Sequence, residues 1–413
     1  MAIPKLALIP SGVKAGKLYS VLPTNGDGDF TTTRNTVATR VNENGLIEEV
    51  ASNVPRLDYS DGTCPSLLLE PASTNLIIYS EDFSNAYWTK AGSSVVSGFV
   101  SPDGTTNASK LVEDSSTGEH VIYKTSIGFS SGATLSYTFF VKENGRGKIQ
   151  YYNFTGGGLQ NGADFDLSTG VVSNEISGSG SMVQLNNGWW RCNFTSIALV
   201  GQTATNVALR ILDNSGSNSY AGNGTSGVYI WGAQLEQNSY ATSYIKTVGS
   251  ATTRSAETAN GAGDASTFND SEGVLMFEIS ALANDGTNRY ISLSDGSTSN
   301  RVNIFFDSNN NLRGFYNGLS GSITINIDTT INNKIAFKYK SGDSGFWVNG
   351  IEVATRADSL SLSGLDSISF DLGGGSYFYG SAKQIQYFDS ALNDTELEKI
   401  TSWTSFTAMA NAQ

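Results

Sequence analysis

Aromatic and polar side chains at alternating positions of predicted strands are the residues of this chain best suited to chemistry. Sugar rings present apolar C–H faces that stack on Trp and Tyr, while amide and guanidinium groups orient the hydroxyls. In the run NGWWRCNF, alternation sends Trp189 and Arg191 to the face opposite the expected core residues. A structural Trp–Arg stack is the alternative for this pair. The same parity argument selects three further candidates for glycan binding: Tyr152, Arg210 and Trp231.

The second half of the chain offers another aromatic group. The run SYFYG at 376–380 lies in a glycine-rich loop and is expected to expose Tyr377 or Tyr379. Tyr316 and Asn303 could join this group as further glycan contacts. Aromatic residues in β-sandwiches more often belong to the core, which is the competing interpretation for each of them.

The run NGDGD at 25–29 is the candidate metal site. Asn25, Asp27 and Asp29 alternate between glycines, and carboxylate and amide oxygens are ligands that Ca²⁺ prefers. An EF-hand loop would need a later glutamate, and Asp-Gly is also a common turn. Ca²⁺ is therefore the one cofactor considered, and no other is expected.

Few residues in this sequence could serve in acid–base catalysis. The single histidine, His120, is placed in the middle of a predicted strand, where a structural role is expected. Glycoside hydrolysis needs two carboxylates about 5–10 Å apart, and Asp164 with Asp166 share a strand face. A turn follows them at once, so they are expected to solvate a hairpin end. We expect no enzyme, with a polysaccharide depolymerase left open as an alternative.

The composition favours many short strands that position these residues. The 413 residues include 45 Gly, 11 % aromatic and only 15 % charged residues, which suits strands joined by turns. The net charge of −13 disfavours nucleic-acid binding, because that affinity is built from Lys and Arg. No run approaches the ~20 apolar residues of a membrane span, and Leu6 to Ile9 is too short for a signal-peptide core. Synthesis in a cytoplasm without a cleaved signal is expected.

Patterns of period two predict an all-β chain with two β-sandwiches of jelly-roll type in tandem. Hairpin signals stand at Asn44-Gly45 and Asn349-Gly350, and Asn393 with Glu396 predicts the capping box of one short C-terminal helix. The expected divisions are an extended attachment arm, a first sandwich, a linker and a second sandwich with the helix: 1–65, 66–248, 249–270 and 271–413.

Several strings, in order, resemble a β-sandwich module of tailed-bacteriophage virion proteins, related to carbohydrate-binding jelly rolls. They cover roughly residues 37–247 and are VATRVNENGLIEEVASNVPRLDY, LLLEPASTNLIIYSEDFSNAYW, SPDGTTNASKLVED, FDLSTG, NGWWRC, GTSGVYIWGAQLE and YATSYIKT. The second sandwich resembles concanavalin/laminin-G-like domains. The resemblance implies a lectin-like structural or adsorption protein of a virion, in a tail fibre or a capsid-attached head fibre, often as a homotrimer. Its implied partners are host-surface or environmental polysaccharide and, through the arm, other virion proteins. A purely structural decoration or baseplate protein is the remaining alternative.

Overall fold

The structure, a computed structural model, describes residues 2–62, 64–155 and 158–403. Residues 404–413 of the expected C-terminal domain lie outside that range. The all-β sandwich fold and the short C-terminal helix are confirmed. The chain divides into two compact units. Sandwich A contains residues 38–49 and 72–254, and sandwich B contains the described residues of 1–37, 50–71 and 255–413.

Sandwich A is built from two six-stranded antiparallel sheets and three short strand pairs. The front sheet runs in spatial order Thr89–Ala91, His120–Gly128, Ala204–Leu212, Lys148–Thr155, Gly158–Asp166, Val171–Ile176. The back sheet runs Ser93–Phe99, Ala108–Glu113, Gly227–Glu236, Thr134–Asn144, Trp190–Ile197, Ser179–Gln184. The short pairs are Thr117–Gly118 with Tyr220–Ala221, Ser73–Asn75 with Thr252–Arg254, and Ala38–Val41 with Ile47–Val50. A single 3₁₀ turn spans Asn186–Gly188.

The inner faces of the two sheets form the core of sandwich A. Alternation along each strand sends every second side chain inward, as with Cys192 and Phe194 of the back sheet and Ile149 and Tyr151 of the front sheet. Burial raises the pKa of the Cys192 thiol, as expected for a small hydrophobic residue.

The outer face of the back sheet is covered by chain of the same unit. The hairpin formed by Ala38–Val41 and Ile47–Val50 places Ile47 against Phe140, and the amide of Ile47 donates to the carbonyl of Pro102 at 3.0 Å. Thr39 donates its hydroxyl to the carbonyl of Tyr244 at 2.7 Å. A second apolar cluster therefore forms behind this sheet, separate from the core.

Sandwich B contains an eight-, a five- and a four-stranded antiparallel sheet. The eight-stranded sheet runs Ile351–Arg356, Ser344–Val348, Asn333–Lys340, Glu272–Ala281, Gly380–Phe388, Ser66–Leu69, Arg56–Asp58, with Leu6–Leu8 also paired to Gly380–Phe388. The five-stranded sheet runs Ile323–Ile325, Leu312–Tyr316, Arg301–Phe306, Arg289–Ser294, Ser367–Ser369. The four-stranded sheet runs Val13–Lys14, Lys17–Leu18, Phe30–Thr33, Thr258–Asn260.

The helix Asp394–Thr401 closes the far side of the eight-stranded sheet. Leu397 packs with Met276 and Trp347 on the face turned away from the main core. Asn393 accepts from the amide of Glu396, and the Glu396 carboxylate accepts from the amide of Asn393, so the predicted capping box is present. This is the only helix longer than one turn in the described chain, and it is far too short to cross a bilayer.

The predicted attachment arm over 1–65 is not a separate element. Leu6 and Leu8 are fully buried in the core of sandwich B, where their strand pairs with Gly380–Phe388. Residues 38–49 belong instead to sandwich A. The predicted linker 249–270 contributes the strands Thr252–Arg254 and Thr258–Asn260, one to each sandwich. The apolar residues expected to anchor the arm were Leu46, Ile47, Val50, Val54 and Leu57. Ile47, Val50 and Leu57 are buried, because burying them stabilises the sandwiches more than an extended tail would, while Leu46 and Val54 are partly exposed.

Candidate functional site

The outer face of the front sheet carries a row of polar side chains. The strand register aligns Arg210 with Gln150 and Gln150 with Asp164. Arg210 donates Nη1 to Oε1 of Gln150 at 3.0 Å, and Gln150 donates Nε2 to Oδ1 of Asp164 at 2.7 Å. Asn174, on the edge strand, donates Nδ2 to the other carboxylate oxygen of Asp164 at 2.7 Å. Four strands thus hold these polar groups in one connected line.

An aromatic row lies next to the polar row, two residues along each strand. Across four neighbouring strands, the residues in register are Tyr123, Ala208, Tyr152 and Gly162, in that order. Phe154 completes the group, with its ring centre 5.7 Å from that of Tyr123 and 5.6 Å from that of Tyr152. Ala208 is fully buried under this group, and a Cβ at Gly162 would clash with the backbone of Tyr151 and Tyr152, so both positions are closely packed.

Arg210 joins the two rows. Its guanidinium carbon lies 4.1 Å from the centre of the Tyr152 ring, and Nη2 forms an ion pair with Glu119 at 2.9 Å. Burial raises the pKa of Tyr152, and the charge of Arg210 acts in the opposite direction. Tyr152 and Arg210 are only 6 % and 5 % exposed, whereas Tyr123 is only partly buried. The stacked pair of Tyr152 and Arg210 therefore forms the buried base of the site.

The accessible groups above that base are the rings of Tyr123 and Phe154 and the polar ends of Gln150 and Asp164, all partly exposed. A row of rings beside a row of fixed hydrogen-bonding groups is the arrangement by which proteins bind sugars, because it matches both the C–H faces and the hydroxyls. We call this surface, formed by Tyr123, Gln150, Tyr152, Phe154, Asp164 and Arg210, the front face.

The candidates on the back sheet are placed differently. The alternation pattern correctly predicted the side of the sheet, since Trp189, Arg191 and Trp231 all lie on its outer side. Trp189 and Trp231 are each 1 % exposed beneath the hairpin that carries Ile47. Arg191 lies 5.8 Å from the ring centre of Phe140 and donates Nη2 to the carbonyl of Thr242. The two tryptophans are structural, because the covering chain removes them from solvent, whereas Arg191 remains partly exposed.

The candidates in sandwich B do not form one group. Tyr316 is buried in the core against Phe337, so it offers no surface to a ligand. Tyr377 and Tyr379 are half-buried neighbours with ring centres 6.0 Å apart, and burial raises the pKa of Tyr379 to about 12. Asn303 lies on the outer face of the five-stranded sheet and is 1 % exposed.

The candidate metal residues bond to protein groups. Asn25 donates its amide to the carboxylate of Asp27, while Asp29 accepts from the amide of Ser20 at 2.9 Å and pairs with Lys17 at 3.5 Å. Within the residues that the structure describes, no cluster of three His, Cys, Asp or Glu side chains has metal-ligand spacing. The loop has the features of a turn, and Ca²⁺ binding there stays an untested prediction.

The candidate catalytic residues have hydrogen-bonding roles. Both ring nitrogens of His120 face main-chain carbonyl oxygens, of Gly92 at 2.5 Å and Tyr220 at 3.3 Å, as a structural role requires. Burial acts to raise the pKa of Asp166, but hydrogen bonds from Ser168 and the charge of Lys148 lower it. A general acid in glycoside hydrolysis needs a raised pKa, so Asp166 is not suited to that one role. Its carboxylate accepts from the amide and the hydroxyl of Ser168, which are the hydrogen bonds of a turn.

The sequence pattern predicts Tyr152 and Arg210 but not most of the residues that surround them in the front face. Tyr123 and Phe154 follow the same alternation in HVIYK and KIQYYNF, which was the available signal. Gln150 and Asp164 are brought beside Arg210 only by strand pairing. The order of strands in the front sheet, which no local pattern encodes, was needed to see the site.

No family model matches this chain, and no curated protein matches it. Solved structures match it weakly. The Ruminococcus gnavus IT-sialidase CBM40 bound to α2,3 sialyllactose is 15 % identical over 33 % of this chain and 84 % of that one, with a TM-score of 0.29. Domain 4 of AbnA, a GH43 arabinanase from Geobacillus stearothermophilus, in complex with arabinotriose, is 14 % identical over 36 % and 73 %, with 0.28.

Trypanosoma rangeli sialidase covers more of the chain, 97 % here and 93 % of its own length. Its identity is 11 % and its TM-score 0.31. Similarities at these levels carry no argument about what this chain does. Function is therefore inferred from the geometry of the front face.

Proposed function

We propose that this chain binds glycans through the front face. The observation that carries the proposal is the strand register that places the Tyr123 and Tyr152 row beside the Arg210, Gln150 and Asp164 row. A sugar ring stacks against Tyr123 and Phe154, and its hydroxyls bond to Gln150 and Asp164. The side chains of this face are already bonded to one another, so little conformational entropy is lost when a ligand binds.

The chain is further proposed to act as a virion component, in a tail fibre or a capsid-attached fibre, made in the host cytoplasm and displayed in several copies. The support for this is the order of sequence strings across residues 37–247 that resembles the phage module. Homotrimeric display would raise a weak single-site affinity by avidity. Attachment through a free arm at 1–65 is not part of this proposal, because Leu6 and Leu8 are core residues.

A glycan array with the full chain tests the binding proposal. We expect the chain to bind at least one polysaccharide and the variant Tyr123→Ala to lose up to roughly ten-fold in affinity for it, since a stacking ring contributes about 0.5–1.5 kcal/mol. Tyr19→Ala is the matched control, because Tyr19 is a 36 %-exposed tyrosine outside the front face. Absence of binding to every glycan, or equal loss in both variants, would overturn the proposal. Particle location is tested separately by antibody labelling of virions.

Incubation of the same polysaccharide with the chain separates binding from depolymerisation. Glycan binding alone leaves the polymer intact, whereas a depolymerase produces new reducing ends or unsaturated sugars. Chain shortening that persists in Tyr123→Ala but is lost in Asp164→Asn would replace the lectin proposal by the depolymerase alternative.

A further inference from the structure

The outer face of the five-stranded sheet in sandwich B carries a second surface of rings and arginines. The register aligns Tyr290 with Phe305 and Phe305 with Arg313. The Tyr290 and Phe305 rings are stacked, with centres 4.3 Å apart and planes within 12°. Phe315 lies on the same face, aligned with Asn303. All three aromatic side chains are partly exposed.

The two arginines of this face differ in how their charge is balanced. Arg313 pairs with Asp307 at 3.0 Å, and its guanidinium carbon lies 5.8 Å from the Phe305 ring centre. Arg301 lies 4.6 Å from the Phe315 ring centre and donates Nη1 to the carbonyl of Thr298. Among the described residues Arg301 forms no ion pair, and burial lowers its pKa. A half-buried cation without a carboxylate is an unfavourable arrangement unless an anion completes it.

Both arginine charges act on the same point of the surface. Burial raises the pKa of the Tyr290 hydroxyl, the charges of Arg301 and Arg313 both act to lower it, and the charge of Asp307 acts to raise it. An anion that binds beside this hydroxyl therefore receives attraction from two guanidinium groups. The local charge is opposite in sign to the net charge of the chain, −13.

Asn303 supplies an independent observation. It lies between Arg301 and Phe305 on the outward side of one strand and is 1 % exposed. Neither its Oδ1 nor its Nδ2 has a hydrogen-bond partner in the described chain. Buried amides are nearly always bonded, and an amide with both ends free is costly, so this position is one that a ligand with hydroxyls would satisfy.

We propose that this face of sandwich B binds a saccharide that bears a carboxylate, such as a uronic or nonulosonic acid. Arg301 pairs with the carboxylate, held in orientation by its stack on Phe315, because a planar guanidinium matches a carboxylate in a bidentate way. Arg313 adds long-range attraction, and Asn303, which is 1 % exposed, bonds to a ring hydroxyl after neighbouring side chains shift to admit the ligand. The site is separate from the front face and goes beyond the proposed function, since it selects ligands by charge.

Titration calorimetry of the full chain tests this with two matched ligand pairs. Trigalacturonate is compared with its fully methyl-esterified form, and sialyllactose with lactose, so that each pair differs in the acidic group. We expect at least one acid to bind roughly ten-fold tighter than its neutral partner, and this preference to shrink as salt rises. Free acetate and phosphate, titrated alone, show whether an anion without a sugar is enough.

Substitutions test whether the preference for the acidic ligand arises at this face of sandwich B. Arg301→Gln is expected to abolish it and Arg301→Lys to restore it in part. Arg356→Gln, an exposed arginine of the same sandwich, is the matched control. The proposal is overturned if acid and neutral partner bind with equal affinity or if neither acid binds. It is also overturned if acetate or phosphate alone binds tightly, or if the preference survives in Arg301→Gln while the unfolding curve is unchanged.

Discussion

Arg210 reaches diagonally across the front sheet to place its guanidinium carbon 4.1 Å from the centre of the Tyr152 ring. Its strand partner in register is Gln150, two residues before Tyr152, so one side chain connects the polar row to the aromatic row. The contact fixes a cation and a ring that neither strand could fix alone. It makes the front face a single preorganised surface, and the glycan-binding proposal depends on it.

Replacement of Arg210 tests that connection. We expect Arg210→Ala to weaken glycan binding roughly ten-fold, because the ring of Tyr152 and the amide of Gln150 both lose their fixed partner. Arg210→Lys is expected to recover only part of the loss, since an ammonium cannot stack in a plane and bond to Glu119 at once. Calorimetry with the glycan found on the array measures both. Unchanged affinity in both variants would show that the stack has no role in binding.

The hairpin behind the back sheet is expected to contribute strongly to the stability of sandwich A. Ile47→Ala should lower the free energy of unfolding by about 2–4 kcal/mol, because it opens a cavity beside Phe140, Trp189 and Trp231. Val37→Ala, at a position 56 % exposed, is the control and should change little. Urea unfolding followed by tryptophan fluorescence reports the change. A loss below about 0.5 kcal/mol would mean that the hairpin does not cover the sheet in solution.

Glu113 is expected to make sandwich A sensitive to acid. Burial acts to raise its pKa, but hydrogen bonds from Arg146, the Asn223 amide and Tyr220 outweigh burial and lower the pKa of Glu113 below its usual value. A carboxylate with a lowered pKa in the folded state stabilises it above its unfolded pKa, about 4.3. That stability is lost as pH falls through the folded pKa.

The variant Glu113→Gln removes this contribution. Its free energy of unfolding should be lower by about 1–3 kcal/mol near neutral pH, with a smaller difference from the parent chain toward about pH 3. Unfolding curves recorded at several pH values measure this difference. A gap between the two chains that stays constant across that range would contradict the assignment.

A network of buried ion pairs lies in sandwich B. Arg56 pairs with Glu70 at 2.8 Å and with Glu257, and Arg34 pairs with Glu257 at 2.6 Å, all four side chains being at most 4 % exposed. Burial acts to lower the pKa of Arg56, but the charges of Glu257 and Glu70 outweigh it and raise the pKa.

Removal of one partner from this network should be severe. Glu257→Gln is expected to cost about 3–5 kcal/mol, because it leaves buried guanidinium charge without its carboxylate. Glu352→Gln, an exposed glutamate of the same sandwich, is the control and should cost less than about 0.5 kcal/mol. Chemical denaturation of the full chain compares the two variants. Equal, small losses would show that the network contributes little.

Local features of this chain were predictable because neighbouring residues determine them. The hairpin turn at Asn349-Gly350 has positive φ at both positions, 51° and 84°, and joins strands in the expected register. The capping box of Asn393 and Glu396 follows from residues three apart. Alternation correctly put Trp189 and Cys192 on opposite sides of one strand.

Segments distant in sequence decided the rest. Trp189 obeys its predicted parity yet is 1 % exposed, because the Ile47 hairpin, some 140 residues earlier, covers that face. Leu6 and Leu8 were predicted to be part of an arm, but their strand pairs with Gly380–Phe388 and their side chains are buried in the core of sandwich B.

The amino-acid sequence by itself determined the strands, their inward and outward sides, the tight turns and the helix Asp394–Thr401, since these depend on contacts within a few residues. Only the tertiary structure decided which sheet face stays open and which side chains meet across strands, as Arg210 meets Tyr152. Those outcomes depend on which surfaces are buried by apolar segments that are remote in sequence. The free energy of that burial is a property of the whole fold.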